Sequence, residues 1–252
     1  MEIEKTEAIV INSRDWKDTS RIVTFYTFAS GKLTAIAKGA RRKNSAFRDC
    51  LQVFTYLDIV YYDREGREIQ VVSQCSEKES FQDLREDLVK TAYASYFVQL
   101  VDEMVKGRET GEEVFRLLLA VLYRLKEGGS EMLARFFELH LLWILGYNPS
   151  LRSCVVCQES EVRGDRLHLS ASSGGIVCRK CSRRVEDCKV VSGGVYSALL
   201  HLQNVDVMKL GRLRLSRALN EELETVMHYY LGYFLGRRLK SQEFLEQVTN
   251  WN

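Results

Sequence analysis

Two C-x-x-C pairs, Cys154 with Cys157 and Cys178 with Cys181, constrain this chain more than any other feature. The twenty residues between them match the doubled-knuckle spacing of a structural zinc site. Each pair can sit in a tight turn with two thiolates pointing the same way, and two such turns complete a tetrahedral four-sulfur shell around Zn²⁺. A closed shell leaves no position for water or substrate. The expectation is therefore one structural Zn²⁺ per chain, a staple and not a catalyst. The competing reading, two separate pairs in redox or disulfide chemistry, suits an oxidising compartment, and nothing marks the chain as secreted. Cys50, Cys75 and Cys188 are expected to be packing residues, with Cys188 close enough in sequence to be a spare ligand.

The first residues, MEIEKTEAIVI, are acidic and alternating, with no basic segment leading into an apolar one, so they do not read as a signal peptide. Even the most apolar segment, Leu133 to Leu145, is interrupted by charges and a histidine and is too short to span a bilayer. A soluble, cytoplasmic protein is expected. The net charge of +2 and pI near 8.1 are only weakly basic. Any case for a nucleic-acid partner must rest on where the basic residues fall. A single proline, Pro149, argues against a long disordered linker.

Along the chain, residues 1–78 read as strands. Ile3 to Ser13 alternates, Ser20 to Phe28 is β-branched and aromatic, and Gly31 to Lys38 follows a short turn. Leu51 to Tyr62 is a longer aromatic run, and a charged turn at Asp63 to Arg67 leads to Glu68 to Gln74. Five strands with a broken segment between the third and fourth suit an OB-type barrel. The period then becomes helical: Tyr93, Tyr96, Phe97, Leu100, Val101 and Met104 recur at helical spacing, as do Val114, Leu117, Leu118, Val121, Leu122 and Leu125. Leu133 to Leu145 is apolar nearly all round, marking a buried helix stopped at Gly146. Helices resume at Val195 to Leu202 and Leu219 to Leu239. The fold class expected is α+β: an N-terminal OB-type five-stranded β-barrel, residues 1–78, then an α-helical domain in two parts, 79–150 and 191–252. A Cys₄ zinc module is inserted at 151–190.

Enzyme signatures are missing. The sequence has no GxxxxGK[ST], HExxH or GxSxG motif, and neither C-x-x-C carries the context of a nucleobase deaminase. The four histidines are scattered, and no catalytic residues are assigned. Basic residues are better organised. Lys38, Arg41, Arg42 and Lys43 fall at the end of the third strand with Arg48 just beyond, while Arg14, Lys17 and Arg21 cluster at the first turn. On an OB barrel these positions rim the face that tracks single strands, where cations neutralise phosphates and aromatics stack on bases. Phe47, between basic residues, is the candidate platform. Two further patches, Arg212–Arg214–Arg217 and Arg237–Arg238–Lys240, fall in the helical half.

DTSRIVTFYTFASGKLTAIAKGARR, Asp18 to Arg42, resembles the N-terminal region of the bacterial RecO recombination mediators, and FELHLLWILGYNPSLRSCVVC, Phe137 to Cys157, resembles their central motif. The element order matches too, so the resemblance covers essentially the whole chain. It implies a non-catalytic role in recombinational DNA repair: binding single- and double-stranded DNA, annealing complementary strands, and helping a RecR-type partner load recombinase onto DNA coated by single-strand-binding protein. It carries DNA binding onto Lys38, Arg41 and Arg42, and a cytoplasmic, nucleoid-associated location. The coat protein ends in an acidic tail with a terminal aromatic residue. A groove with an arginine on its rim would suit that tail, and Arg124 and Arg135, on the helices flanking Gly128-Gly129, are the candidates. An OB-fold and zinc-ribbon RNA-binding or transcription-associated factor is the alternative from another class.

Overall fold

One long strand bends so that it can pair with a different neighbour at each end. The computed structural model describes residues 2–47, 50–107, 111–128, 131–160, 166–212 and 214–250. Strand β1, Glu2–Trp16, pairs through Glu2–Ile9 with β4, Tyr56–Asp63, and through Ala8–Trp16 with β2, Ser20–Thr27. Its register slips between Val10 and Asn12, a bulge that coils the strand and lets the sheet close. β3, Gly31–Ala37, pairs antiparallel with β2 and parallel with β5, Ile69–Glu79, which returns to β4. The closed order β1-β2-β3-β5-β4 is that of the OB barrel.

Alternation sorts the side chains. Val23, Phe25, Leu33, Ala35, Ala37, Leu57, Ile59, Tyr61 and Val72 fill the interior, with Ala8 and Val10 from β1. Small residues opposite large ones fit the taper of a narrow barrel. One expectation changes here. Leu51 to Phe54 is not the start of the fourth strand but a chain of turns. Its backbone serves the bulge instead: Phe54 N–H donates to Val10 O at 2.8 Å, and Val10 N–H donates to Thr55 O at 3.0 Å. Leu51 packs into the interior cluster together with Phe47. The apolar run thus closes the barrel rather than extending its wall.

The chain falls into two units, Met1–Gly129 with Leu239–Asn252, and Ser130–Arg238. The first unit holds the barrel, α1 (Gln82–Glu86), α2 (Leu88–Met104), α3 (Gly111–Glu127) and α7 (Lys240–Asn250). Asp87 caps α2, accepting from the N–H groups of Val89 and Lys90 at 2.9 and 3.1 Å. α3 lies on the barrel wall, where Phe115 meets Phe28 edge to face at 5.6 Å. Its first residue touches backbone. A Cβ on Gly111 would stand 2.6 Å from Phe28 O and 2.9 Å from Gly31 N. α7 docks on α2, with Ser241 N–H donating to Gln99 Oε1 at 2.9 Å.

The second unit contains α4 (Glu131–Ile144), β6 (Arg166–Ser170), β7 (Gly175–Val177), β8 (Cys188–Ser192), α5 (Gly193–Asn204) and α6 (Arg217–Leu235). α4 is buried over most of its circumference, as its composition predicts. The helix expected to run to Leu239 ends at Leu235, because Gly236 adopts the left-handed conformation of a C-cap. Cys50 and Cys75 pack against the barrel interior as expected.

Because Gly111 has no room for a side chain, Gly111→Ala should push α3 off the barrel and destabilise the protein by about 1–3 kcal/mol. Urea unfolding reads this as a lower midpoint at unchanged slope.

Candidate metal centre and nucleic-acid interface

The arm leading to the first cysteine pair is zipped onto the strand leading to the second. Ser150 N–H donates to Gly174 O at 2.9 Å, Ile176 N–H to Ser150 O at 2.8 Å, and Val155 N–H to Ile176 O at 2.9 Å. Gly175 is required for this approach, since a Cβ there would come within 2.3 Å of Ser150 O. β7 in turn pairs with β6, and β6 with β8. The module is anchored to α6 through Asp187. Its carboxylate accepts from Ser170 Oγ at 2.8 Å, Ser172 Oγ at 2.6 Å, Ser172 N–H at 2.8 Å and Tyr229 OH at 3.1 Å. Burial pushes the Asp187 carboxyl up, but these donors outweigh it and bring it down to about 2.

Each C-x-x-C forms a tight turn: Gln158 N–H donates to Cys154 O at 2.8 Å, and Ser182 N–H to Cys178 O at 2.9 Å. The ligating atoms of Cys154, Cys157, Cys178 and Cys181 all lie within 4.8 Å of one another. Cys157 Sγ is 3.8 Å from Cys178 Sγ. Metal–sulfur bonds of about 2.3 Å in a tetrahedron give sulfur–sulfur edges of about 3.8 Å, so the donor set fits a metal ion. Burial pushes the Cys154 thiol up, but the N–H groups of Cys178, Cys157 and Val156 outweigh it and bring the group down to about 6. The Cys178 N–H stands 3.2 Å from that sulfur. Cys181 is pushed up to about 12, chiefly by its hydrogen bond with the Cys178 side chain. Crowded thiolates repel one another, and a dication among them removes that repulsion. The four-sulfur group does not include Cys188, which sits on β8 opposite Ser170.

The two basic clusters of the barrel meet at one end. Register places Trp16 opposite Ser20 and Arg21 opposite Ala37, so the β1–β2 turn and the exit of β3 are neighbours. Arg41 joins them. Its N–H donates to Thr19 O at 2.9 Å, and its Nη1 donates to Lys17 O and Asp18 O at 3.4 and 3.3 Å. Asp15 pairs with Arg21 at 3.1 Å and with Arg41 at 3.3 Å. Arg41 is therefore a strut between the two loops, partly neutralised by an acid. Arg14, Lys17, Lys38, Arg42 and Lys43 are exposed. Arg48 lies outside the described residues.

Phe47 is not a platform. It is 8% exposed and packs into the barrel interior. The outward position belongs to an aromatic residue not among the candidates above: Trp16, 41% exposed, on the same strand face as Arg14. Its signal is present in the run Arg14-Asp15-Trp16-Lys17, but the bulge reverses the alternation that would tell inward from outward.

In the helical segments, Arg124 is partly exposed on α3 and pairs with Glu127. Arg135 does not lie on a rim. It is buried in α4, 2.9 Å from the fully buried Glu138 and 3.8 Å from Glu224, with Nη1 3.5 Å from His228 Nε2. Burial, with the Arg135 and Arg238 cations, brings His228 down to about 3. Arg214, Arg217, Arg237 and Arg238 are exposed, and Arg217 pairs with Glu221 at 2.8 Å.

A family model described as Recombination protein O N terminal matches residues 1–81, and one described as Recombination protein O C terminal matches residues 85–243. Among curated proteins, the DNA repair protein RecO of Pelotomaculum thermopropionicum is 37% identical over 247 residues, covering 98% of this chain and 95% of the relative. That of Desulforamulus reducens is 34% identical over 252 residues, covering 100% of this chain and 97% of the relative. That of Symbiobacterium thermophilum is 35% identical over 253 residues, covering 99% of each.

Arg135→Ala should leave the buried Glu138 carboxylate without the guanidinium 2.9 Å from it, costing about 3–5 kcal/mol of stability. Arg135→Met with Glu138→Leu should recover most of that loss in thermal unfolding. Recovery no better than the single variant would contradict a simple buried pair.

Proposed function

The chain belongs to the RecO family of DNA repair proteins, and from that membership we propose that it is a non-catalytic recombination mediator. It binds single- and double-stranded DNA, anneals complementary strands, and with a RecR-type partner assists recombinase loading onto DNA coated by single-strand-binding protein. The observation that carries this reading is the convergence of Arg14, Lys17, Lys38, Arg42 and Lys43 at one end of the barrel beside the exposed indole of Trp16. Cations neutralise the backbone and displace its counterions, and an indole stacks on any base, so the combination suits sequence-independent capture. Arg41 acts by holding the loops together; Arg21, paired with Asp15, supports the same edge.

Annealing needs no bond-making group. Two strands must be brought together against their charge repulsion, and the coat protein displaced. For the coat's acidic tail the candidate is Arg124, near the outward-facing Tyr123 on α3; Arg135 is occupied by Glu138. The metal proposed for the four cysteines is Zn²⁺, because an all-thiolate tetrahedral shell suits a soft, redox-inert dication. Cys154, Cys157, Cys178 and Cys181 would hold it as a structural clasp. Among the described residues no helix is long and apolar enough to cross a membrane. The site of action proposed is the bacterial nucleoid in the cytoplasm.

Replacing Lys38, Arg42 and Lys43 by Gln should weaken single-strand binding similarly across sequences. The log–log salt dependence should flatten by about 0.7 for each phosphate that is no longer neutralised. Trp16→Ala should lower affinity by about 1–3 kcal/mol for each base it stacks, at unchanged salt slope. If both variants bind as the parent does, the barrel end is not the DNA surface. Metal analysis should find one zinc per chain. Cys154→Ser should release it and melt the module, since structural zinc contributes about 10–16 kcal/mol in small peptides.

A further inference from the structure

The two halves of the metal centre differ sharply in charge. Within and just after the first pair stand Val155, Val156, Gln158, Glu159 and Ser160, with no cation among them. The second pair reads Cys178-Arg179-Lys180-Cys181-Ser182-Arg183-Arg184. Arg179, Lys180, Arg183 and Arg184 are all exposed. Their backbone is set by the C-x-x-C turn, closed by Ser182 N–H donating to Cys178 O, and by the 3₁₀ helix Cys181–Arg184, with Ser182 Oγ donating to Arg179 O at 3.2 Å. Two acids follow, Glu186 and Asp187. Asp187 is turned to Ser170, Ser172 and Tyr229, which consume its carboxylate. Within this segment, Glu186 is left to offset the cations.

We propose that this second knuckle is a phosphate-binding element that holds the second nucleic-acid strand during annealing. The inference rests on the barrel end being the site of the first strand, and it adds a second site on the other structural unit. In the segment 178–189 the exposed residues are Arg179, Lys180, Arg183, Arg184 and Glu186, with no exposed apolar or aromatic side chain. Among the described residues, the exposed large apolar side chain adjoining this segment is a valine, Val190 on β8. A protein partner would need a larger, aromatic or aliphatic anchor at its centre. A sugar–phosphate backbone needs none, and guanidinium groups match its oxygens in pairs. Fixing the cations on a hydrogen-bonded turn lowers the ordering cost of binding. A surface without aromatics neutralises a backbone while leaving the bases free to pair. The barrel end, with Trp16, instead engages bases.

The test uses the full chain and two variants, Arg179→Gln with Lys180→Gln and Arg183→Gln with Arg184→Gln, assayed beside Lys38→Gln/Arg42→Gln/Lys43→Gln. The probes are a labelled single-stranded oligonucleotide, its labelled complement and the duplex, with bound zinc measured on each preparation. Each knuckle variant should anneal the complement roughly tenfold more slowly at moderate salt, and its salt slope for duplex binding should flatten by about 1.8 if both cations meet phosphates. Capture of the first strand should persist in the knuckle variants and fail in the barrel variant. Annealing at the parental rate with zinc retained overturns the proposal. So does a slowing confined to variants that no longer hold zinc, because the cations would then serve to balance thiolate charge. Single-strand capture undiminished in the barrel variant would instead overturn the reading of the barrel end, a different result on a different variant.

Discussion

The bulge in β1 is the constraint from which the barrel of this protein follows. A straight strand would keep one neighbour on each side along its length. The slip between Val10 and Asn12 lets β1 leave β4 and continue along β2, and the sheet closes into a barrel. The groups freed at the bend are met by the backbone of Phe54 and Thr55, so the segment between β3 and β4 is drawn over the barrel end. Antiparallel pairing of β2 with both β1 and β3 sets the β1–β2 turn beside the exit of β3, and Arg41 fastens the two through the carbonyls of Lys17, Asp18 and Thr19. Basic residues more than twenty positions apart thereby share one edge.

The four-cysteine cluster is built on the same logic at smaller scale. Backbone pairing of Ser150 and Val155 with β7 fixes where each knuckle begins, and four sulfurs meet without either turn having to search for the other. Asp187 then ties the module to Tyr229 of α6. A small three-stranded sheet has little apolar core of its own; the hydrogen-bonded Asp187 carboxylate supplies order that packing alone would not, and a metal held by the four cysteines would add to it. The two turns treat their thiols differently: the Cys178 side chain pushes Cys181 up, while backbone N–H groups outweigh burial and bring Cys154 down.

Charged residues in this chain divide by what surrounds them. Arg135 reads as a surface arginine when its helix is scanned for an apolar stripe. α4 is buried nearly all round, and its one arginine is buried with it beside Glu138. The i, i+3 pairing of Arg135 and Glu138 is legible in the sequence, but whether such a pair is solvated depends on the helices packed over it. Phe47 and Trp16 present the same problem in reverse. Both are aromatics among cations; the first plugs the barrel and the second faces outward.

The small sheet β6–β8 inside the cysteine module is not legible in the sequence, but the five strands of the barrel, the switch to helices after them, the cysteine quartet and the distribution of charge are. These depend on local periodicity and fixed spacing, physical rules that act within a few residues. The buried helix α4 and its stop at Gly146 follow from the same rules. Other outcomes needed the folded chain. Leu51 to Phe54 closes the barrel and does not extend a strand, because the hydrogen bonds at stake belong to the distant bulge at Val10. α7 joins the barrel's unit, Arg41 braces loops, and Arg135 is buried. Each of these turns on which partner a side chain or peptide group meets across the chain, and local sequence does not contain that partner.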